Sequence, residues 1–458
     1  MRVFIRLLYI HPFQKLAFRY FFRYIQGDLN RIKKQRRLLY IAILKTIDRL
    51  LEQHAITTQI SCKVAVLWAR ALITPSGKIP AARNFRDRNG VDPPRFITIS
   101  PGYSCNLKCK GCYATSSSTG SKLDWYTLEH IVNEAKESWD IRLIVFSGGE
   151  PLLYTSDGKG VLDIVERNPD LLFLMFTNGT LIDEQTAKRL SRLGNLTPAF
   201  SVEGLQHLTD TRRGQGIFST VKEKMKLVRQ VGLPFGVSVT VTRYNCEEVL
   251  SDRFLELFFH ELGAFYMFFF QYLPIGRDPN FELMPTPEQR ISFLHKVWGV
   301  IEEKQLFLID FWNHGPLVNG CISAGRARGY LYIDWNGNIM PCVFTPYAAA
   351  NIHRIYQNGG TLNDVLSSPF FKAIRDWQVD YGFGSAIPTQ EGNLLSPCPF
   401  RDHYHKFRQW IEQYHPEPED KSAREALLDT YYYNRMVEYG TRFSELSQAE
   451  WNEKYLSS

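Results

Sequence analysis

The 458-residue chain has no run of 18 or more uninterrupted apolar residues, so a transmembrane helix is not expected. It contains no internal repeat and no low-complexity block, which speaks against a solenoid or a tandem array. Acid is scarce at the start. Residues 1–40 hold ten Lys or Arg and one acid, Asp28, for a balance of +9. The whole chain carries only +7, so the rest sums to −2. Basicity therefore belongs to the N-terminal arm, which argues against a nucleic-acid groove across the body. The apolar share of 44% and charged share of 22% exclude disorder and collagen. Arg6 interrupts the first apolar run and no small-residue cleavage site follows, so no signal peptide is expected. The length allows two or three domains.

What is present begins with an alternation. Strand-like runs at 96–100, 143–146, 171–176, 198–202, 236–241 and 265–270 are separated by helix-like segments. The clearest of these has Leu128, Ile131, Val132, Ala135 and Trp139 at helical spacing. Others run over 184–193 and 219–231. Six such units predict an α/β fold with parallel βα units, closing partway into a barrel or forming an open doubly wound sheet. Either places chemistry at the C-terminal ends of the strands. Beyond residue 273 the pattern breaks at Pro274, Gly276, Pro279, Pro285 and Pro287, which reads as a linker. A helix over 288–303 follows. Residues 330–343 read as a short hairpin turning at Asn336-Gly337, and 408–458 as a polar helical tail.

Eight cysteines are present, and three of them, Cys105, Cys109 and Cys112, fall within eight residues right after the first strand. That crowding suits a metal site better than a disulfide scaffold and fits a reducing cytosol. Three thiolates on one loop can hold three irons of a [4Fe–4S] cube, leaving the fourth open to a small molecule. A zinc site completed by a distant ligand is the alternative. The next strand ends in Ser147-Gly148-Gly149-Glu150-Pro151, one unit later and on the same rim. Its glycines admit close approach to the backbone.

Together, the Cys-x3-Cys-x2-Cys loop and the Gly-Gly-Glu-Pro turn resemble the radical SAM superfamily. The resemblance spans 95–275 and continues through Thr177-Asn178-Gly179, Ser201-Val202-Glu203-Gly204 and Asp210-x2-Arg213-Gly214. It implies a partial (β/α)6 TIM-like barrel. It also implies that Cys105, Cys109 and Cys112 hold a catalytic [4Fe–4S] cluster whose open iron chelates S-adenosylmethionine. Gly148, Gly149, Glu150 and Pro151 would meet the cofactor's amino group, with Asn178, Ser201 and Arg213 as further contacts. The implied activity is reductive cleavage to a 5′-deoxyadenosyl radical that abstracts hydrogen from a substrate, with an external electron donor such as flavodoxin or ferredoxin. One position departs from the pattern. An aromatic residue often precedes the third cysteine in the family, whereas here Gly111 does and Tyr113 follows.

Cys321, fifteen residues, Gly337, four residues and Cys342, with Cys398 beyond, resemble the opening of SPASM or Twitch extensions. Three cysteines allow at most one auxiliary Fe–S cluster, with Asp402, His403, His405 or an open site as the fourth ligand. The plainer reading is buried, inert thiols. Asp310, with Trp312, Asn313 and His314, is read as a catalytic proton-transfer candidate or as a polar turn. The aromatic run 265–270 could line a substrate channel or simply be a buried strand. Cys62 and Cys246 are read as packing residues.

Phe13, Leu16, Ala17, Tyr20, Phe21, Tyr24 and Ile25 form one helical face, and Lys15, Arg19 and Arg23 form another. Such an arm either lies on an anionic membrane through residues 1–40 or docks on the barrel. RNA binding lacks any accompanying motif. The expected organisation is 1–90 as a helical arm, 91–280 as the core, 281–405 as the extension and 406–458 as the tail. The expected location is the cytoplasm, with peripheral contact at the inner face of the membrane. A membrane lipid acyl chain is the first substrate reading. A ribosomal peptide or protein is the second, and an Fe–S electron carrier or SAM-binding protein without turnover is the reading from another class.

Overall fold

The computed structural model describes residues 30–57, 60, 63, 67, 80–383 and 392–456. Seven strands run parallel in chain order: β1 (Phe96–Ile99), β2 (Leu143–Phe146), β3 (Leu172–Thr177), β4 (Leu196–Val202), β5 (Gly236–Val241), β6 (Tyr266–Gln271) and β7 (Leu308–Asp310). Most of their side chains are buried, as parallel strands covered on both faces require. This is the α/β fold of parallel βα units that the alternation predicts and the partial barrel that the resemblance implies, with one strand more than the six expected. The seventh, Leu-Ile-Asp, is too short to show a period and pairs only along β6.

Helices cover the sheet, and their ends are written in the sequence. Helix Trp125–Trp139 begins where the Asp124 carboxylate accepts from the Thr127 N–H at 2.8 Å. Its buried face holds Leu128, Ile131, Val132, Ala135 and Trp139, as their spacing predicts. Helix Glu184–Leu193 is capped by Asp183 and ended by left-handed Gly194. Helix Pro287–Lys304 starts with a Thr286/Gln289 capping box and a proline in its first turn.

The expected hairpin forms as β8 (Tyr330–Ile333) and β9 (Asn338–Met340), but it is not a separate small sheet. β8 pairs parallel with β1, from Phe96 opposite Tyr330 to Ile99 opposite Ile333. The extension thus lengthens the barrel sheet at its β1 edge, and β7 does so at the β6 edge. The turn also differs. The Asp334 N–H donates to the Asn338 carbonyl at 3.0 Å, so Trp335, Asn336 and left-handed Gly337 form a three-residue loop. Next come β10 (Tyr347–Ala348) and β11 (Ala350–Asn351); β11 pairs with β9, and β10 pairs with β12 (Glu417–Pro418) in a second sheet.

The tail is helical, as expected, but not merely polar. Helix Thr430–Trp451 buries Tyr432, Met436, Phe443 and Trp451 and packs along helix Pro287–Lys304. Of the basic arm, residues 1–29 lie outside the described residues, and with them the aromatic face from Phe13 to Ile25. Helix Arg31–Glu52 docks on the body. Arg36 donates to the Leu317 carbonyl at 2.7 Å and to Asn319, and Gln35 donates to Tyr455 at 3.0 Å. No helix among the described residues is long and apolar enough to cross a membrane.

Candidate active site

The elements predicted to carry chemistry meet at the C-terminal rim of the strands. The cysteine loop leaves β1 and folds back on itself. The Tyr103 N–H donates to the Ser121 carbonyl at 3.0 Å, and the Cys105 N–H to the Ser117 carbonyl at 2.7 Å. All three thiols are partly exposed and so face an accessible space. The Leu107 N–H and Asn178 Nδ2 lie 3.4 and 3.8 Å from Cys105 Sγ, and Arg213 Nη1 lies 4.0 Å from Cys109 Sγ. Burial pushes the Cys105 thiol up to about 11, with nearby Glu150, Cys109 and Cys112 adding to the rise. A metal centre binds the thiolate and displaces that proton.

The residues fit an iron–sulfur cube. Three soft donors sit on one loop, with N–H donors aimed at the sulfurs. Among the described residues, no three Cys, His, Asp or Glu side chains converge as a single-ion site requires. A cube instead takes each thiolate at a different iron.

The Gly-Gly-Glu-Pro turn is zipped onto this loop. The Gly149 N–H donates to the Gly102 carbonyl at 3.1 Å, and the Glu150 N–H to the Ser104 carbonyl at 2.8 Å. A Cβ on Gly149 would lie 2.1 Å from the Ser104 oxygen, so only glycine fits. Glu150 is buried. Its Oε1 accepts from Thr177 Oγ1 at 2.7 Å and from the Leu152 N–H at 3.2 Å; its Oε2 accepts from the Asn178 N–H at 2.8 Å. Burial pushes the carboxyl up, while these donors and Arg213 pull it back. Oε2 has a lone pair left for an external donor. Pro151 opens a short turn behind it. Asn178 Nδ2 also reaches Asn106 Oδ1 at 2.9 Å, tying β3 to the cysteine loop.

On β4, half-buried Ser201 stands opposite Ser238 of β5 on the same rim. Two residues on, buried Glu203 gathers Arg212 at 2.6 Å and Arg213 through Nε at 2.8 Å. Glu203, Arg212 and Arg277 were not assigned from sequence. Glu203 lay inside a quoted motif, and the adjacent Arg212-Arg213 pair was the available signal. Gly111 finds its explanation here. A side chain at that position would lie 2.7 Å from the ring of Tyr272, which enters from the end of β6 and fills the space.

Cys321, Cys342 and Cys398, from three separate segments, lie within electrostatic reach of one another. Cys342 Sγ lies 2.9 Å from Tyr330 Oη, and Cys321 Sγ donates to Ser323 Oγ at 3.2 Å. Burial raises each thiol. Cys321 and Cys398 add to the rise at Cys342, and Asp402 and Cys321 add to that at Cys398, which reaches about 12. The candidates for a fourth ligand fare unequally. Asp402 is clamped between Arg290, at 2.6 Å, and Arg401, at 2.9 Å, all fully buried. His403 bonds the Ser396 carbonyl at 2.9 Å, and His405 is exposed.

Asp310, at the end of β7, is fully buried. It accepts from the Trp312 and Asn313 N–H groups, from Asn313 Nδ2 at 2.7 Å and from Gln271. Burial pushes its carboxyl up, and Arg290 and Arg401 oppose that. Cys246 is buried and donates to the Arg243 carbonyl, as a packing residue would; Cys62 lies outside the described residues.

Between the two cysteine sets runs an aromatic wall. Tyr113, next to Cys112, is 6.1 Å from Phe344, two residues after Cys342; Phe344 is 4.8 Å from Trp312 and 5.8 Å from Phe270. Phe270 is 5.3 Å from Phe176. On β6, Met267 and Phe269 are buried on one face, whereas Phe268 and Phe270, on the other face beside buried Tyr266, are partly exposed. The run is a strand, buried along its Met267–Phe269 face.

Residues 99–252 match the Radical SAM superfamily. The chain is similar to the AdoMet-dependent heme synthase of Methanosarcina barkeri, 28% identical over 295 residues, covering 58% of this chain and 81% of that protein. It is also similar to the sporulation killing factor maturation protein SkfB of Bacillus subtilis, 28% identical over 266 residues, covering 54% and 60%. Among solved structures, Streptococcus suis SuiB bound to precursor peptide SuiA superposes with a TM-score of 0.54 at 17% identity, covering 69% of this chain and 74% of that one. Native anSMEcpe with bound AdoMet and Cp18Cys peptide gives 0.51 at 18%, covering 78% and 98%. At these identities the two structures speak for the fold.

Proposed function

The chain is a radical SAM superfamily enzyme, and from that premise we propose that it modifies a peptide or protein at the space between its two cysteine sets. When bound, the [4Fe–4S] cluster and S-adenosylmethionine supply the 5′-deoxyadenosyl radical. Cys105, Cys109 and Cys112 hold the cluster, and the Gly149–Glu150 turn receives the cofactor's amino group. The aromatic wall from Phe176 to Tyr113 excludes water and orients the substrate. Cys321, Cys342 and Cys398 hold one auxiliary cluster at the far end of that wall. An external one-electron donor completes the system.

The observation that carries this reading is the placement of partly exposed aromatic side chains between two thiol sets on one rim. The peptide class draws support from the named maturation protein SkfB. It replaces the lipid reading, which rested on the arm; Arg31 and Arg36 of that arm engage Tyr455 and Leu317 of the body. A second reading, a tetrapyrrole, is favoured by the heme synthase whose length the chain covers to 81%.

The test transfers a label. The reconstituted enzyme, S-adenosylmethionine and reductant are incubated anaerobically with perdeuterated protein, lipid and tetrapyrrole fractions of cells. Deuterium in 5′-deoxyadenosine from the protein fraction alone is expected. Deuterium from the lipid or tetrapyrrole fraction alone would overturn the peptide class.

A further inference from the structure

The stretch after β6, which the sequence reads as a linker, grips the cysteine loop from outside. The Arg277 N–H donates to the Cys112 carbonyl at 2.9 Å. Its guanidinium donates to the Cys109 carbonyl at 2.9 Å, to the Thr115 carbonyl at 3.0 Å and to the Ser116 carbonyl. Gly276 is pressed so close that a Cβ would lie 2.3 Å from the Cys112 oxygen. The loop backbone between the second and third cysteines, and just after them, is thus wrapped around one arginine. Only a planar fork with five donors serves three diverging carbonyls at once; a lysine ammonium does not share that geometry.

Charge points the same way. Arg212 donates to the Lys110 and Gly111 carbonyls at 3.1 and 3.2 Å, and Arg213 faces Cys109 Sγ. Glu203 pairs with both of those arginines. Arg277 instead spends its donors on neutral carbonyls, and among the described residues no carboxylate pairs with it.

We infer that Arg277 is the positioning residue of the cluster loop, fixing the fold of residues 109–116 and contributing the positive charge that eases reduction of the cluster held there. This rests on reading Cys105, Cys109 and Cys112 as the cluster site. Residue 277 lies outside the matched family segment, which ends at 252.

The test uses the full chain, reconstituted anaerobically with iron and sulfide, and follows the reduced-cluster EPR signal that changes on adding S-adenosylmethionine. Arg277→Gln should lower cluster retention or SAM cleavage by roughly 10- to 100-fold, the usual effect of losing an outer partner of a metal ligand. It should also move the midpoint of that signal to more negative potential. Arg277→Lys keeps the charge and loses the fork, so its midpoint should stay nearer wild type while retention falls. Wild-type retention, line shape and midpoint in both variants would overturn the inference. Survival of the SAM-responsive signal in Cys109→Ala would instead overturn the cluster assignment beneath it.

Discussion

Cys105, Cys109 and Cys112 share one loop, whereas Cys321, Cys342 and Cys398 are brought together only by the tertiary fold. The first site is local. Its loop is laced to the Gly-Gly-Glu-Pro turn and held by arginines through backbone carbonyls. The second is assembled from a loop, the end of the β8–β9 hairpin and the start of a short helix. Its integrity depends on β8 pairing with β1 and on the buried Arg290–Asp402–Arg401 cluster beside Cys398. Injury to one site should therefore spare the other.

Gly149→Ala is the most damaging single change expected at the first site, because its Cβ would drive into the Ser104 carbonyl. Release of 5′-deoxyadenosine should fall about 10²-fold, as misplacement of reacting groups by about 1 Å does. Auxiliary iron, read by Mössbauer spectroscopy, should stay. Asp402→Asn is the converse. It leaves two buried arginines short of a counter-charge and should cost about 3–5 kcal/mol in chemical denaturation. Auxiliary iron should be lost while the SAM-responsive signal persists. If either variant emptied both sites, the independence drawn here would be wrong.

A pH-dependent effect concerns the scaffold beside Asp310. Burial lowers the His314 imidazole to about 3. The unfolded chain therefore binds this proton first, near pH 6.5. The contribution to stability is full above that value and is lost as pH falls toward about 3, at up to about 1.4 kcal/mol per pH unit. His314→Gln should remove that slope from acid denaturation of the metal-free chain. The smallest effect is Thr177→Val, which takes one donor from Glu150. At about 1 kcal/mol for the bond, S-adenosylmethionine should bind about fivefold more weakly, measured by calorimetry.

The first site was legible because its spacing is local. β2 and β5 fall on the expected residues, as does helix Glu184–Leu193. The second site was legible as a set of cysteines but not as a place. Nothing in Tyr330–Ile333 announces that it will lie along β1, since a fully buried strand carries no face pattern to name its partner. Tyr272 and Arg277 were hidden for a different reason. Proline and glycine mark the segment as irregular, and an irregular segment is read by its backbone and not by what its side chains can reach. The pairing of Arg290 with Asp402 was likewise invisible, since the two are 112 residues apart in sequence.

The central claim is that the two thiol sets do different work. Iron content and 5′-deoxyadenosine release, measured together in two triple variants, test it most directly. Replacing Cys105, Cys109 and Cys112 by Ala should abolish release and remove the iron of one cluster. Replacing Cys321, Cys342 and Cys398 by Ala should remove the remaining iron and leave reductant-driven release in place. Release that survives the first replacement would contradict the account.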